Sequence, residues 1–592
     1  MNSITTFLAC LIGFCAQPAE PQSPQGLIGV SYTINQGGRL TEMRAINAPM
    51  IRETLSGNYL AARFAQRHHD WELATNYMEE VAKKRPDDLS LRKRTMVLAM
   101  GAGDYDIATR EAAEVLKAEP DNALALLFTS VKQFKDQDYT AAVRSIQAMP
   151  PGSLSEFIMP LLHSWAEASQ GVEDTAALRG SVIHIYHAIL IADFLGAHEQ
   201  VTALLDRALS SPNMTTHDLE RIADLYGHIK NKDKALDLYE QVAKLDPDNN
   251  TVPAKIERLK NDENAAIFKR IETPEDGIAE AMFDMARVLY GDYSDESARI
   301  FANMALYLDP DKEDAKLLMA YISARNERYD DAIAYYQSIG PEDKHYFDAR
   351  RRAADLLEEN GRTQEALDML KELVATHDDL DALIQIGDLY RRSEDFGKAI
   401  TVYNQAQDKL GGDIPADYWQ LYYVRGISYE QDGQWDKAEA DLKAALAFEP
   451  DHPLVLNYLG YSWADQGVNL KQSLAMIKKA VSLRPDDGYI ADSLGWVLYK
   501  SGKYKEAVPN LERAVELLPY DPVINDHLGD AYWRVGRVIE ARFQWQRARN
   551  HSEDESLITA VDAKLDQGLA ASLPVTKQAK ALMDNEIKEI LE

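Results

Sequence analysis

Three consecutive stretches near the C-terminus repeat one pattern: Asn457-Tyr-Leu-Gly-Tyr-Ser-Trp463, Asp492-Ser-Leu-Gly-Trp-Val-Leu-Tyr499 and Asp526-His-Leu-Gly-Asp-Ala-Tyr-Trp533. The glycines of these stretches are 35 and then 34 residues apart. After Gly495, alanines follow at Ala507 and Ala514, and Pro519 closes the unit. A fixed period of this length, with small residues at fixed offsets, predicts stacked copies of one small structural unit.

The residues between these markers predict that each unit is a pair of antiparallel helices. Leu498, Leu511 and Ala514 recur at helical spacing on either side of a turn. Gly495 on the first helix and Ala507 on the second allow the two helices to approach closely. One such pair cannot bury its apolar face alone, so neighbouring pairs must stack. The sequence therefore predicts an all-α solenoid.

The same spacing extends along most of the chain, in about 13–14 repeats. Alanines 34 residues apart mark it in both halves, at Ala74, Ala108 and Ala142, and at Ala298, Ala332 and Ala366. We predict an N-terminal array over 52–248, degenerate around 150–200, and a C-terminal array over 275–550. An irregular joint at 249–274 separates them, and 551–592 forms an acidic helical cap and tail that covers the last apolar face.

The N-terminus carries an apolar stretch, Ile4–Ala16, with the length of a signal-peptide core. We interpret 1–22 as a signal-like segment and 23–51 as a linker, although no Lys or Arg precedes Arg39. This pattern favours an exported, periplasmic protein, with a cytoplasmic location as the alternative. No apolar run is long enough to predict a transmembrane span.

Composition narrows the classes of partner. The chain has 592 residues and a formal net charge of -31, which disfavours binding to nucleic acid or to anionic membranes. It favours basic or neutral protein partners. Cys10 and Cys15 are its only cysteines, so the repeats hold neither a disulfide framework nor a thiolate metal site.

The motifs that suggest chemistry all have a simpler interpretation. Gly460-Tyr-Ser-Trp-Ala464 resembles a nucleophile elbow, but it lacks the final glycine and lies in a predicted helix. Ser501-Gly-Lys503 resembles the end of a phosphate loop, but Val497 stands where the first glycine belongs. His184 and His187 share a helix face without a third ligand. We predict a protein that is not an enzyme and that has no catalytic residues, cofactor or metal.

A stripe of side chains on the first helices is the best candidate for a binding site. Positions three before, one after and four after each glycine point together, away from the seam. In the last four repeats they are aromatic and acidic. We predict a groove for a partner or peptide, lined by Tyr423, Asn457, Tyr461, Asp492, Trp496, Tyr499, Asp526, Asp530 and Trp533.

The alternative is that these aromatic side chains only pack against the next repeat. Asp492 and Asp526 favour the binding interpretation, because a carboxylate is rarely buried without a partner. The oligomeric state of the chain is left open by these patterns.

The period of 34 and its small residues resemble those of the tetratricopeptide repeat (TPR) proteins. Together with the three stretches above, Arg484-Pro-Asp-Asp-Gly-Tyr489 is similar to a proteobacterial family of long TPR proteins with no settled activity. The resemblance implies a right-handed superhelical solenoid that acts as a scaffold or adaptor, holding a protein ligand on its inner surface.

The family resemblance gives an expected role in bacterial envelope-associated assembly. Two alternatives stay open. The chain is a cytoplasmic regulatory or co-chaperone-like adaptor, or it is a substrate-recruiting accessory subunit of an enzyme such as a glycosyltransferase.

Overall fold

The computed structural model describes residues 54–569, except 180, 212–213, 247–250, 262–269 and 413. Of the residues described, 78% are helical and none forms a strand. The predicted all-α class is therefore confirmed. Three predicted parts of the chain lie outside the described residues: the signal-like segment 1–22 with both cysteines, the linker 23–51, and the tail beyond 569.

Two compact units divide the chain, one ending at Arg362 and the other beginning at Thr363. The joint expected from the sequence lies earlier, at 249–274, and the limits of the two predicted repeat arrays remain a prediction. Between 249 and 273 the structure describes one helix, Thr251–Lys260.

The first unit contains the helices α1 (Leu55–Arg67), α2 (Trp71–Lys84), α3 (Leu89–Ala102), α4 (Tyr105–Ala118), α5 (Ala123–Lys135), α6 (Tyr139–Gln147), α7 (Ser153–Ala168), α8 (Val182–Phe194), α9 (His198–Leu209), α10 (Thr216–His228), α11 (Lys232–Leu245), α12 (Thr251–Lys260), α13 (Pro274–Gly291), α14 (Asp295–Leu308), α15 (Glu313–Arg325), α16 (Tyr329–Gln337) and α17 (Tyr346–Glu359).

The second unit contains α18 (Thr363–His377), α19 (Leu380–Arg392), α20 (Phe396–Lys409), a short 3₁₀ helix (Ala416–Tyr418), α21 (Trp419–Gln431), α22 (Trp435–Phe448), α23 (Pro453–Asp465), α24 (Leu470–Leu483), α25 (Gly488–Lys500), α26 (Tyr504–Leu517), α27 (Pro522–Arg534), α28 (Val538–His551) and α29 (Glu555–Gln567). Consecutive helices from α19 to α28 pack as pairs.

The turn inside a pair has a repeated construction. One residue adopts a left-handed backbone, as Gly103 does with φ of +74° and Gly502 with φ of +77°. In several pairs an aspartate then caps the second helix, as Asp104 does by accepting from the Ile107 N–H at 3.0 Å. Ser501-Gly-Lys503 is therefore the turn between α25 and α26, and not a phosphate loop.

The repeated spacing of small residues along the chain has a clear steric cause within the helix pairs of the second unit. A Cβ atom at Gly495 would lie 2.4 Å from the Leu511 Cγ, and one at Gly529 would lie 2.5 Å from the Trp545 Cδ1. Ala507, on the facing helix, is fully buried. These distances leave no room for a side chain, so the glycine determines how closely the two helices pack.

The first unit departs from a simple stack. Helices α13 and α14 pack on each other and also across α3, α5, α7 and α8 of the N-terminal repeats. The Asn303 side chain donates to the carbonyls of Met100 and Gly101 at 2.9 and 2.8 Å, and the Arg299 Nε donates to the Gly101 carbonyl at 2.7 Å. One hydrophobic cluster consequently spans Met96 to Ile322.

A buried charge network fixes the register of α13 in this unit. Arg221 of α10 donates to Asp284 and to Glu280 of α13, both at 2.6 Å. The Asp284 carboxylate also lies 3.3 Å from the His187 Nε2 of α8, and the Arg221 guanidinium lies 3.5 Å from the centre of the Tyr186 ring. Removing one partner would leave a buried charge unpaired, so the network favours this position of α13 against α8 and α10.

We predict that Gly529→Ala lowers the free energy of unfolding of the second unit by about 1–3 kcal/mol, because its methyl group would overlap Trp545. Gly397→Ala is the matched control. Gly397 lies in α20 with open space around it, so alanine there should be neutral or stabilise the helix by about 0.5–1 kcal/mol. Chemical denaturation followed by tryptophan fluorescence measures both, because six of the eight tryptophans belong to this unit. Equal stability of the two variants would contradict the steric account.

Candidate functional site

The two units differ in what covers the inner helices, which are the first helices of the pairs. In the first unit, α14 packs across α3 and α5 and so occupies that surface. In the described part of the second unit, the main contacts of α21, α23 and α25 are with the helices adjacent in sequence and with the first helices of neighbouring pairs. The second unit therefore offers the candidate surface.

The C-terminal end of the predicted groove is filled by the cap helix α29. The Lys564 Nζ lies 2.7 and 2.8 Å from the Asp526 carboxylate oxygens and 2.8 Å from Asp530. Asp530 also accepts from the Trp545 Nε1 at 2.9 Å. The Trp533 ring packs on Trp545, with the ring centres 5.3 Å apart. Asp526 and Asp530 thus hold the cap through Lys564, and Trp533 lies against Gly568 at the end of the cap, so the structure places these three residues against the cap and not in an open groove.

The middle of the predicted groove is an interface between repeats. Asp492 is buried, and its two carboxylate oxygens each lie 3.0 Å from the His527 Nδ1. The Trp496 ring stacks on His527 at 3.9 Å and on Tyr499 at 4.8 Å. Tyr499 is only 2% exposed, and Trp496 is half-buried. Of these three predicted residues, Trp496 alone keeps part of its surface free.

The burial of Asp492 and Asp526 does not favour a binding groove, because both carboxylates have partners within the chain. Asp492 and Asp526 are buried, but each has a cationic partner, His527 and Lys564 respectively. Burial alone disfavours a charged His527, but attraction to Asp492 and the hydrogen bond between them outweigh it and raise the pKa of His527. Asp526 and Asp530 add to that attraction.

The remaining predicted residues, Tyr423, Asn457 and Tyr461, are half-exposed on α21 and α23. Burial raises the pKa of Tyr461, and the carboxylates of Asp465, Asp492 and Glu430 raise it further. The Tyr461 hydroxyl therefore lies in a negative field.

Three residues that were not among the predicted site residues, Tyr458, Glu430 and Asp465, complete this region. Tyr458 meets the edge of Tyr423 at 6.2 Å and donates to the Glu430 Oε2 at 3.0 Å. We call Tyr423, Asn457, Tyr458, Tyr461 and Trp496, with the carboxylates Glu430 and Asp465, the tyrosine face. Tyr458 stands two positions before Gly460, whereas the predicted groove uses the position three before each glycine. The spacing therefore does not identify Tyr458 as a site residue, and only its aromatic character could have done so.

Asn457 has one polar atom without a partner. Its side-chain Oδ1 is buried and accepts no hydrogen bond within the described part of the chain. A buried acceptor left unpaired costs about 1–3 kcal/mol, so turning this side chain outward to meet a donor from a ligand would gain a hydrogen bond. The side-chain amide can both donate and accept, and it matches the hydrogen-bonding groups of a peptide backbone.

The two histidines considered as metal ligands have separate partners. The His184 Nε2 lies 2.8 Å from the Phe157 carbonyl oxygen, and the His187 Nδ1 accepts from the Trp165 Nε1 at 3.0 Å. Among the residues described, no three His, Cys, Asp or Glu side chains are grouped as metal ligands. Ser462 of the elbow-like motif lies buried inside α23, so its hydroxyl is not presented at a turn.

A search of the described helices finds none with the length and apolar character needed to cross a membrane.

We predict that His527→Gln removes a pH-dependent part of the stability of the second unit. A histidine whose pKa is raised by folding stabilises most below its unfolded pKa of about 6.5 and loses that contribution as the pH rises through the folded value. The difference in free energy of unfolding between wild type and variant should be largest at pH 5–6 and shrink towards pH 9. The exposed His551→Gln is the control. A difference for His527→Gln that is constant with pH would contradict the charged pair.

Comparison with protein families agrees with this architecture. Family models described as tetratricopeptide repeat match residues 97–153, 219–249, 323–386, 380–408, 423–488 and 493–555, about half of the chain in total. A TPR repeat-containing protein of Pseudomonas aeruginosa is 30% identical over 180 residues. That match covers 30% of this chain and 29% of the length of the relative.

Solved structures are similar over parts of the chain. A TPR protein from Parabacteroides merdae aligns over 49% of this chain and 97% of its own, at 15% identity and a TM-score of 0.31. One from Thermus thermophilus aligns over 32% and 99%, at 20% identity and a TM-score of 0.28. YrrB, described as a TPR protein with an unusual peptide-binding site, aligns over 32% and 96%, at 18% identity and a TM-score of 0.26. On the family matches, the chain belongs to the tetratricopeptide repeat proteins.

Proposed function

We propose that this protein is a non-catalytic scaffold that binds an extended segment of a partner protein on the tyrosine face. The observation that carries the proposal is the unpaired side-chain Oδ1 of Asn457, one helical turn before the half-buried Tyr461 on the same face of α23. Tyrosine and tryptophan supply large contact area at interfaces, and one amide hydrogen bond to the ligand backbone would fix its register.

The charge of the tyrosine face favours a basic or neutral ligand. Glu430, Asp465 and Asp492 all act on the Tyr461 hydroxyl. Lys500, at 3.1 Å, offsets Asp465, and His527 offsets Asp492. Glu430 accepts from the neutral Tyr458 hydroxyl. A Lys or Arg of the ligand would therefore meet a carboxylate next to an aromatic ring, where both attract it. The same field disfavours nucleic acid.

The cellular role that we propose is envelope-associated assembly in a bacterium, with export directed by the signal-like residues 1–22. A cytoplasmic regulatory or co-chaperone-like adaptor and a recruiting subunit of a glycosyltransferase are the alternatives. Mass spectrometry of the mature N-terminus tests export, because cleavage after the apolar stretch supports it and an intact Met1 contradicts it. Co-purification of a catalytic chain would support the recruiting subunit instead.

We predict that Asn457→Ala combined with Tyr461→Ala weakens capture of the partner by at least tenfold, because truncating a central aromatic residue typically costs about 2 kcal/mol or more. Tyr489→Ala combined with Tyr520→Ala is the matched control, since these side chains are 60% and 69% exposed outside the tyrosine face. Affinity purification with mass spectrometry identifies the partner, and calorimetry with its purified form gives the affinities. Equal affinity of the site and control variants would exclude the tyrosine face as the binding surface.

A further inference from the structure

One helix pair of the first unit lacks its second helix. Helix α7 ends at Ala168 and α8 begins at Val182, and the residues described between them, 169–179 and 181, form turns and irregular backbone without a helix. In the neighbouring pairs, second helices of 9 and 12 residues, α6 and α9, pack on α5 and α8. The side of α7 that a second helix would cover is bordered instead by a short irregular segment.

A cavity of about 430 Å³ lies at this place. It is bounded by the end of α6, by α7 and by the turn segment, and its apolar lining consists of Ile146, Met149, Pro151, Met159, Pro160 and Ala177. We call it the α7 pocket. Its volume falls within the range of about 300–1,000 Å³ that is typical of ligand sites.

The formally charged side chains among the described lining of the α7 pocket are both carboxylates, and Gln147, His163 and Ser164 are its other polar side chains. Glu156 and Asp174 line it and are exposed, and no Lys or Arg is among its described lining residues. Pro160 has no N–H, so it cannot donate to the carbonyl of Glu156 one turn earlier in α7. His163 contributes a side chain whose Nε2 is 3.9 Å from Glu167. A ligand that fits must combine an apolar surface with hydrogen-bond donors or positive charge.

We propose that the α7 pocket is a docking site for an amphipathic helix of a partner protein, which takes the place of the missing second helix. Two apolar side chains one turn apart on such a helix point the same way and enter the pocket together. Lys or Arg residues beside them pair with Glu156 and Asp174. The flexible side chains of Met149 and Met159 adapt to either aliphatic or aromatic anchors.

The α7 pocket belongs to the first unit alone, and this proposal does not rest on the tyrosine face. The two are distinguished by the variants that affect them. Asn457→Ala with Tyr461→Ala should leave binding at the α7 pocket unchanged.

The test uses the full-length chain and two fluorescent 14-residue helical peptides, one with leucines on one face and lysines elsewhere, the other with glutamates in place of the lysines. By fluorescence anisotropy, the lysine peptide should bind at least tenfold more tightly than the glutamate peptide. Met159→Asp should weaken it at least tenfold. Leu245→Asp, at a side chain that is 64% exposed in the same unit, should have no effect. Equal binding to wild type and Met159→Asp would overturn the proposal.

A second pair of variants separates docking from general attraction to an acidic protein. Glu156→Lys with Asp174→Lys should reverse the preference towards the glutamate peptide. Glu257→Lys with Asp311→Lys changes the net charge equally at exposed positions of the same unit and should preserve the preference. If both pairs weaken the lysine peptide equally, the α7 pocket is not its site.

Photo-crosslinking tests wild-type protein without any substitution. A benzophenone placed on the leucine face of the lysine peptide should label residues within 146–164 or 174–177, as found by mass spectrometry. Labelling only in the second unit would overturn the proposal.

Discussion

The close approach of the two helices in each pair is the constraint on which the structure depends. In the second unit it requires glycine on the first helix, because Leu511 and Trp545 stand where a side chain of Gly495 or Gly529 would be. A pair packed this tightly buries the surface between its own two helices. The flanks of the pair, which are the surfaces that face the neighbouring pairs, remain apolar. The flanks of every pair must then be covered by something else.

The chain provides that cover in three ways. Most pairs are covered by the next pair. The last is covered by α29, which buries Val561 in the final hydrophobic cluster and places Lys564 against two carboxylates. In the first unit, α13 and α14 cover the inner surface of earlier repeats, and Arg221 holds α13 in register. After α7 no second helix occurs among the described residues before α8, and the apolar α7 pocket lies at this place.

The periodic part of this architecture could be predicted from the sequence, and the ion pairs that cross the repeats could not. The glycine seam and the turn at Gly502 follow from spacing and local backbone preference, which recur in every copy of the pattern. His527 and Lys564 lie 35 and 38 residues after the aspartates they pair with. Lys564 belongs to the cap, which is not a repeat, so no period could place it beside Asp526. The packing of α13 on α8 is non-local in the same way.

These ion pairs also determine which acidic and aromatic side chains of the second unit are covered. The same three positions beside each glycine carry acidic and aromatic side chains, but the cation that meets them differs from repeat to repeat. Lys564 pairs with Asp526 of the last repeat, and His527 pairs with Asp492 of the repeat before it. In the preceding repeat the equivalent of Asp492 is the uncharged Asn457, whose carbonyl oxygen has no partner among the described residues. Among the described residues, the C-terminal end of this stripe is thus occupied by the cap and by the His527 pair, whereas Tyr461 and Tyr423 on α23 and α21 are half-buried.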